Sequence, residues 1–187
     1  QATRRHTQVA VLADGLMRVA VLMLNLGGPR ILDDVKPFLL NLFLDRETIR
    51  FPGGRVGQQL LARLLVALKA RKSTANYAAI GGGSPLVQWT REQGDRMRKL
   101  VERDYDTQIL ALPCMRFWHP FTEEALREAL EWRADHVVAF TQYPHLSTAT
   151  TGSSLRELNR VSTDMKCPIP ITEIAEWHDH PTYVQAL

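Results

Sequence analysis

The sequence predicts an α/β protein, a four-stranded parallel sheet with helices on both faces. Short apolar runs alternate with longer segments of helical periodicity, in the order βαβα from Val19 onward. With 187 residues, of which 45% are hydrophobic, the chain can bury one substantial core. Strands that alternate with helices pair in parallel, because each helix carries the chain back across one face of the sheet.

The first predicted strand is Val19–Leu26, an unbroken apolar run of the kind that is buried on both faces at the centre of a sheet. Gly27-Gly28-Pro29 ends it in a tight turn. Asp33 and Asp34 then favour the positively polarised end of a helix. One side of that helix is apolar and consists of Val35, Phe38, Leu39 and Leu42.

The later elements are predicted from the same two periodicities. A second helix covers about 58–69, a third begins near Pro85, a fourth is opened by Pro120, and a fifth follows Gly152-Ser153-Ser154. The second helix has a leucine stripe that is expected to face the core, formed by Leu61, Leu64, Leu65 and Leu68. The remaining strands are Thr107–Leu112, His136–Phe140 and Pro168–Ile174, and a further helix begins at His180-Pro181.

Charge and cysteine content narrow the classes of function. A net charge of +3 and a pI near 9.1 allow attraction to carboxylates or anionic lipids, but the chain lacks the concentrated basic stripe of a nucleic-acid-binding protein. Cys114 and Cys167 form neither a disulfide framework nor a zinc motif, which favours a reducing compartment. No apolar run reaches the roughly 20 residues of a spanning helix, so any membrane contact is superficial.

The two ends of the chain differ from its middle. Residues 1–18 are basic, with one acid, Asp14, against Arg4, Arg5, His6 and Arg18. This segment is either the remnant of a mitochondrial transit peptide or a simple disordered tail. We therefore expect a basic tail over 1–18, an α/β domain over 19–176, and the start of a truncated segment over 177–187.

Three loops follow the first three predicted strands. They are Asn25–Pro29, Cys114–Pro120 and Tyr143–Ser154. In open parallel sheets, ligands bind beyond the carboxyl ends of the strands, where such loops converge. This edge is therefore the predicted site of chemistry.

Arg116 is the most informative charged residue on these loops. Its neighbours Met115, Phe117 and Trp118 could support a flat apolar ligand while the guanidinium binds a carboxylate of that ligand. Alternatively, Arg116 pairs with a nearby acid on a helix. Both interpretations remain open from the residues alone.

Two further motifs also allow a structural and a functional interpretation. Gly81-Gly82-Gly83-Ser84 is either a structural turn or a phosphate loop, although neither a Walker A nor a Gly-x-Gly-x-x-Gly motif is present. His178 and His180 could take up protons near neutral pH or be inert loop residues.

The segments 38–44 and 58–72 have more apolar surface than one small domain needs. The second of them ends in Lys69, Arg71 and Lys72. An apolar face bordered by basic residues suits a helix that rests in a membrane interface. The alternative is that a second domain covers this surface.

Several blocks of the sequence together resemble the ferrochelatase family. They are Leu24–Pro29, Tyr77–Pro85, Met115–Ala125, Phe140–Pro144 in its mitochondrial form, and Thr150–Leu155. The resemblance extends from about Val19 to Val161 and more loosely to Leu187. It implies a two-domain enzyme of haem synthesis with chelatase-like, Rossmann-like sheets, which grips a porphyrin in the cleft and inserts ferrous iron into protoporphyrin IX. This chain would supply the amino-terminal half.

The resemblance also implies roles for individual residues. The porphyrin contacts carry over to Leu26, Lys69, Tyr77, Ser84, Met115, Arg116 and Phe117. Trp177 and His180 match a Trp-x-x-His element whose histidine belongs to the active site, so His180 is the predicted catalytic residue. A histidine suits this role because two pyrrole N–H protons must leave as iron arrives. No metal ligand is assigned in this chain.

The chain departs from the family pattern at several points. A His-containing loop and a later glutamate of the second half, both central to metal handling, do not occur here. Phe117 stands where tyrosine is usual, and Lys69 replaces a common arginine and loses bidentate geometry. Thr148 aligns with a cysteine that holds an iron–sulfur cluster in animal-type enzymes, so no cluster or other cofactor is predicted. We expect the chain alone to bind porphyrin weakly and to be inactive in iron insertion.

The expected partners are porphyrin and ferrous iron as substrates and a membrane surface contacted through 38–44 and 58–72. No nucleic acid is expected, and a homodimer is left open. The predicted location is the matrix face of the mitochondrial inner membrane, with the bacterial cytoplasm or membrane periphery as the alternative. Two competing hypotheses remain: a porphyrin-binding protein without chelatase activity, and an unrelated nucleotide-binding α/β domain.

Overall fold

The computed structural model describes residues 16–187, so most of the predicted basic tail lies outside the described residues. The sheet has four parallel strands: β1 (Met17–Asn25), β2 (Thr107–Met115), β3 (His136–Thr141) and β4 (Ile171–Ile174). Their spatial order is β2-β1-β3-β4. The predicted parallel sheet is confirmed, and the apolar first strand lies inside it.

In the described part of the chain, six α-helices surround this sheet. They are α1 (Val35–Leu44), α2 (Gly54–Ala79), α3 (Leu86–Asp104), α4 (Thr122–Glu131), α5 (Ser153–Asp164) and α6 (Pro181–Ala186). A short 3-10 turn, Leu32–Asp34, precedes α1, and a π-helical turn, Thr148–Gly152, precedes α5.

One face of the sheet, here called the closed face, is covered by α4 and α5. Alternate side chains of β1, β2 and β3 point to this face and are completely or almost completely buried. The main contributors from the sheet and the two helices are Leu22, Leu24, Leu112, Val137, Leu126 and Leu158. This is the larger of the cores beside the sheet.

The opposite face is only half covered by described residues. Met97 and Val101 of α3 pack on Val21 and Ile109, over β1 and β2. Toward β3 and β4 an apolar groove of 440 Å³ remains, bordered by Phe140 among other residues. Helices therefore lie on both faces, as predicted, but they cover the two faces unequally.

A separate apolar cluster joins α1 and α2 beyond the carboxyl edge of the sheet. Phe38, Leu39 and Phe43 are buried there, against Ala62 of α2 and Phe117 of the loop after β2. Because α2 covers Phe38, Leu39 and Phe43, most of the apolar surface of 38–44 is already buried within the chain, and the expected membrane contact of this segment stays a prediction.

The buried amide of Gln58 ties α2 to the chain before it. Its nitrogen donates to the carbonyl oxygens of Phe43 at 2.7 Å and Ile49 at 2.9 Å. Its oxygen accepts from the backbone N–H of Phe51 at 3.0 Å. A polar side chain is stable in this position because each of its groups is satisfied.

The second helix differs from its prediction in length and in orientation. It extends over 54–79 rather than about 58–69, and its carboxyl end is later than predicted because neither glycine nor proline occurs between Gly57 and Gly81. Leu64 and Leu68 point outward and are 53% and 69% exposed, whereas Leu61 and Leu65 are half-buried. The leucine stripe therefore faces the core on one edge only.

Two other boundaries shift because of proline. The fourth helix begins at Thr122 instead of Pro120, because the Pro120 carbonyl accepts from the N–H of Met115 at 2.8 Å and extends the β2 region. The last strand begins at Ile171, after Pro168 and Pro170. These prolines have no N–H to donate to a neighbouring strand.

Candidate functional site

The loop after β1 and the loop after β2 lie side by side at the carboxyl edge of the sheet. The N–H of Arg116 donates to the carbonyl of Asn25 at 2.9 Å, and that of Phe117 donates to the carbonyl of Leu26 at 3.0 Å. Strand-like pairing thus continues past the sheet. It holds the predicted site residues Leu26, Arg116 and Phe117 in one layer.

The glycine turn after β1 brings a third sequence block to the same place. A Cβ atom on Gly28 would lie 2.7 Å from the Ser84 side chain, a distance that only glycine permits. The N–H of Ser84 donates to the carbonyl of Pro29 at 2.7 Å. The turn that carries Ser84 therefore packs directly on the turn after β1.

Met115 and Phe117 form the floor of this region. Met115 is fully buried, and Phe117 is 1% exposed at the centre of the cluster between α1 and α2. Leu26 and Tyr77 pack around that cluster and are half-buried. Of these four predicted porphyrin contacts, only Leu26 and Tyr77 have accessible side chains in this arrangement.

Arg116 is committed to a buried network. Its Nη2 lies 3.4 Å from Oδ2 of Asp45, and its Nε donates to the hydroxyl of Ser153 at 2.9 Å. That hydroxyl in turn donates to Asp45 at 3.1 Å. The side chains of Arg116 and Asp45 are 19% and 8% exposed. The structure thus shows the pairing that the sequence left as the alternative.

Sequence reasoning missed Asp45 as a partner of Arg116. Asp45 directly follows α1, and no motif marks it. It also accepts from the hydroxyl of Thr48 at 2.9 Å and from the N–H of Glu47 at 3.0 Å. One carboxylate therefore connects the end of α1 with the loop after β2 and the start of α5.

Two buried hydroxyls lie beside this network. The hydroxyls of Tyr143 and Ser154 are removed from solvent, and neither has a hydrogen bond of good geometry within residues 16–187. Burial raises the pKa of the Tyr143 phenol to about 12, and the neighbouring Ser154 hydroxyl and Arg116 guanidinium offset this only in part. Tyr143 is therefore neutral at physiological pH.

Lys69 and Tyr77 lie on the part of α2 that extends beyond the core. Lys69 is exposed, and it precedes Tyr77 by about 12 Å along the helix at 1.5 Å per residue. Partial burial raises the pKa of Tyr77. Lys69 is thus an exposed position on the helix that carries Tyr77, and exposed predicted site residues of this kind are here called the rim.

His180 lies at the start of α6, at the same edge of the sheet but beside β3 and β4. Its Nδ1 accepts from the N–H of Thr182 at 3.3 Å, so the exposed imidazole caps the helix. The indole of Trp177 donates to the carbonyl of Thr141 at 2.9 Å and anchors this segment to the end of β3. No direct contact joins His180 to the group around Leu26 among the described residues.

An aromatic group that the sequence analysis did not identify surrounds Trp177. Tyr183 packs edge-on against Trp177 with ring centroids 4.9 Å apart, and His145 stacks on His178 at 5.4 Å. Phe140 completes the group. The density of aromatic and histidine residues over 177–183 is the signal that could have indicated it.

The phosphate-loop interpretation of the triple glycine is not supported. Gly81-Gly82-Gly83 follows α2, whereas a phosphate loop follows a strand. Within residues 16–187, no three side chains of the metal-binding types converge on a common point.

Comparison with known proteins identifies the family. The family model described as ferrochelatase matches residues 18–187. The chain belongs to the ferrochelatase family. A ferrochelatase of Synechocystis sp. is 46% identical over 173 residues, and one of Picosynechococcus sp. is 46% identical over 174 residues.

Each of these two alignments covers 91% of this chain and 44% of the relative. The chain thus spans less than half the length of the ferrochelatases it matches. Both relatives are cyanobacterial, and their similarity covers every sequence block that met at the carboxyl edge of the sheet.

Proposed function

We propose that this chain forms the amino-terminal half of a ferrochelatase cleft, which inserts ferrous iron into protoporphyrin IX to form haem. One observation carries the proposal: the family's sequence blocks, separated along the chain, meet at the edge of the sheet where ligands bind. A porphyrin is a large apolar disc with carboxylates at one edge. It suits a site with apolar walls and few cations.

The exposed and the half-buried residues have different roles in the proposed binding of porphyrin. Leu26 and the ring of Tyr77 offer apolar surface to the macrocycle, and Lys69 offers a cation to a propionate. The buried pair Arg116–Asp45 holds the loop after β2 in place beneath them. In this proposal Arg116 positions the site instead of binding a propionate.

His180 is proposed to receive a proton from the porphyrin as iron enters. In the neutral ring Nδ1 is the acceptor for the N–H of Thr182, so the ring proton lies on Nε2. Proton uptake at Nδ1 would end that hydrogen bond. Proton transfer to His180 would therefore remove a capping hydrogen bond from the first turn of α6.

Peripheral membrane contact is proposed through 58–72 alone. Leu60, Leu64 and Leu68 form an exposed apolar stripe on α2, beside its basic residues. No helix within residues 16–187 is both long and apolar enough to cross a bilayer. The mitochondrial inner membrane stays a prediction from Phe140–Pro144, whereas the cyanobacterial relatives support the bacterial alternative.

A chimera tests the proposed activity. Residues 1–187 are joined to the remaining part of the Synechocystis ferrochelatase, and iron insertion into protoporphyrin is followed by absorbance. We expect activity from the chimera, and weak porphyrin binding without insertion from the chain alone. A folded chimera that binds porphyrin without inserting iron would favour the porphyrin-binding alternative. Robust iron insertion by the chain alone would contradict the proposal that it forms only half of the cleft.

The same chimera separates two roles of His180. His180→Ala removes both the imidazole and the cap, whereas His180→Asn retains a good capping residue without a base. We expect both variants to lose most of the turnover while porphyrin affinity changes little. Full activity of the asparagine variant would assign His180 to helix capping alone.

A further inference from the structure

A basic groove lies between the start of α1 and the middle of α2, away from the predicted porphyrin contacts. Its volume is 560 Å³. Lys36 of α1 and Arg63 and Arg71 of α2 line its sides, and Thr74 adds a hydroxyl. Its floor is apolar and includes the buried Ala70. Lys69, the predicted propionate contact, does not line it.

The cations of the groove have no acidic partner. Lys36, Arg63 and Arg71 are exposed, and none forms an ion pair or a side-chain hydrogen bond with any residue of 16–187. Helix α2 has only basic charges, at Arg55, Arg63, Lys69, Arg71 and Lys72. Asp34, which precedes α1, is engaged elsewhere, because the indole of Trp118 donates to it at 2.9 Å. The groove therefore complements an anion.

The groove borders the exposed apolar stripe of α2. Arg63 follows Leu60 by three residues, and Arg71 follows Leu68 by three, so each cation is a surface neighbour of a stripe leucine. Leu60 and Leu68 are 63% and 69% exposed. Apolar side chains and cations thus share one side of a 26-residue helix.

We propose that this groove binds the phosphate of an anionic phospholipid headgroup when α2 rests on a membrane. The inference rests on the membrane contact proposed above and adds the chemistry of the partner. The stripe would enter the acyl boundary while Lys36, Arg63 and Arg71 reach the phosphate layer beside it. Basic pockets between helices suit such headgroups, and Thr74 supplies a neutral donor.

The position of three cations beside an exposed leucine stripe suits a lipid better than an acidic peptide. An acidic peptide would be held by the three cations, whereas a membrane also covers the exposed leucine stripe that continues along the same helix. The short span of the groove, across one helix pair, also suits a single phosphate group.

Vesicle sedimentation with the 187-residue chain tests the proposal. The groove variant is Lys36→Gln/Arg63→Gln/Arg71→Gln. The control variant, Arg91→Gln/Arg96→Gln/Lys99→Gln, removes the same charge from exposed, unpaired positions of α3. Vesicles contain phosphatidylcholine alone or with part of it replaced by phosphatidylglycerol, and circular dichroism confirms that each variant is folded.

We expect the groove variant to lose binding to phosphatidylglycerol vesicles by roughly fivefold for each cation removed, and the control variant to lose much less. Equal losses in both variants, or no loss in either, would overturn the proposal. If inorganic phosphate at low concentration is enough to displace the chain from the vesicles, the groove is a site for free phosphate. Groove-dependent binding of polyglutamate without vesicle binding would indicate an acidic protein partner. Either result would overturn the lipid assignment.

Two further results separate this inference from the proposals on which it rests. Leu60→Gln/Leu64→Gln should weaken binding to both kinds of vesicle, and no binding by any form of the chain would refute the membrane contact itself. Porphyrin titration of the groove variant should match the unmodified chain. A lost porphyrin affinity would instead place the groove in the porphyrin site.

Discussion

The floor and the rim of the candidate site are built in opposite ways. On the floor, Met115 and Phe117 are buried and Arg116 is held by Asp45. On the rim, Lys69 and His180 are exposed and have few contacts. All of these residues except Asp45 were predicted as site residues, yet only the rim residues can meet a ligand without rearrangement. Substitutions on the floor should therefore change stability first, and those on the rim should change binding or turnover.

The largest expected effect comes from the floor. Phe117→Ala should lower the free energy of unfolding by about 3–5 kcal/mol, because it removes a buried ring between α1 and α2. Urea unfolding followed by circular dichroism measures the change. Trp89→Ala, at an exposed position of α3, serves as the control and should cost far less. Similar losses in both variants would contradict the assignment of Phe117 to the floor.

Breaking the buried ion pair should have the next largest effect. Arg116→Ala leaves Asp45 without its cation and should cost about 2–3 kcal/mol, below the range for a fully buried pair because Arg116 is 19% exposed. The double variant Arg116→Ala/Asp45→Asn should recover part of this loss. Strictly additive losses in urea unfolding would show that the two side chains do not interact. If Arg116→Ala instead lost porphyrin affinity without losing stability, Arg116 would be a porphyrin contact, as the sequence predicted.

Alkaline pH should weaken the buried side of the structure. Burial raises the pKa of Cys114 from 9.0 to about 12, so the unfolded chain loses this thiol proton first as the pH rises. Stability should be unaffected by this group below pH 9 and fall through the range from 9 to 12. At pH 10 the loss is on the order of 1 kcal/mol.

The variant Cys114→Ala measures how much of the stability loss at alkaline pH comes from that thiol. Thermal unfolding at pH 8 and pH 10 should show a smaller alkaline loss in the variant than in the unmodified chain. The remaining loss should include Tyr143, whose pKa is also raised to about 12 by burial. An identical pH dependence in both proteins would exclude Cys114 as a contributor.

The smallest expected effect belongs to the rim. Lys69→Ala should weaken porphyrin binding about two- to fivefold, as for the loss of one exposed charge contact, and leave the urea midpoint unchanged. Porphyrin fluorescence titration measures the affinity. Lys72→Ala, three residues along the same helix, is the matched control and should bind normally. If both substitutions weaken porphyrin binding equally, Lys69 contributes only to the overall positive charge and makes no specific contact.

The sequence by itself determined the order and type of the elements and the edge at which the blocks that resemble the family meet. Apolar periodicity is local, so Val19–Leu26 and the segments around His136–Phe140 reveal buried strands without knowledge of their neighbours. Parallel strands then place their following loops at one edge, whatever the details of packing. The ferrochelatase blocks themselves were recognised by their resemblance to the family, and the predicted strand order placed several of them at that edge.

Tertiary structure alone decided which of the residues in those blocks are accessible. The pairing of Arg116 with Asp45, the outward direction of Leu64 and Leu68, and the capping by His180 all depend on how separate helices pack or begin. Arg116 and Asp45 lie far apart in the chain, and no local pattern specifies their contact. A motif therefore identifies the neighbourhood of a site, and packing determines which side chains a ligand can reach.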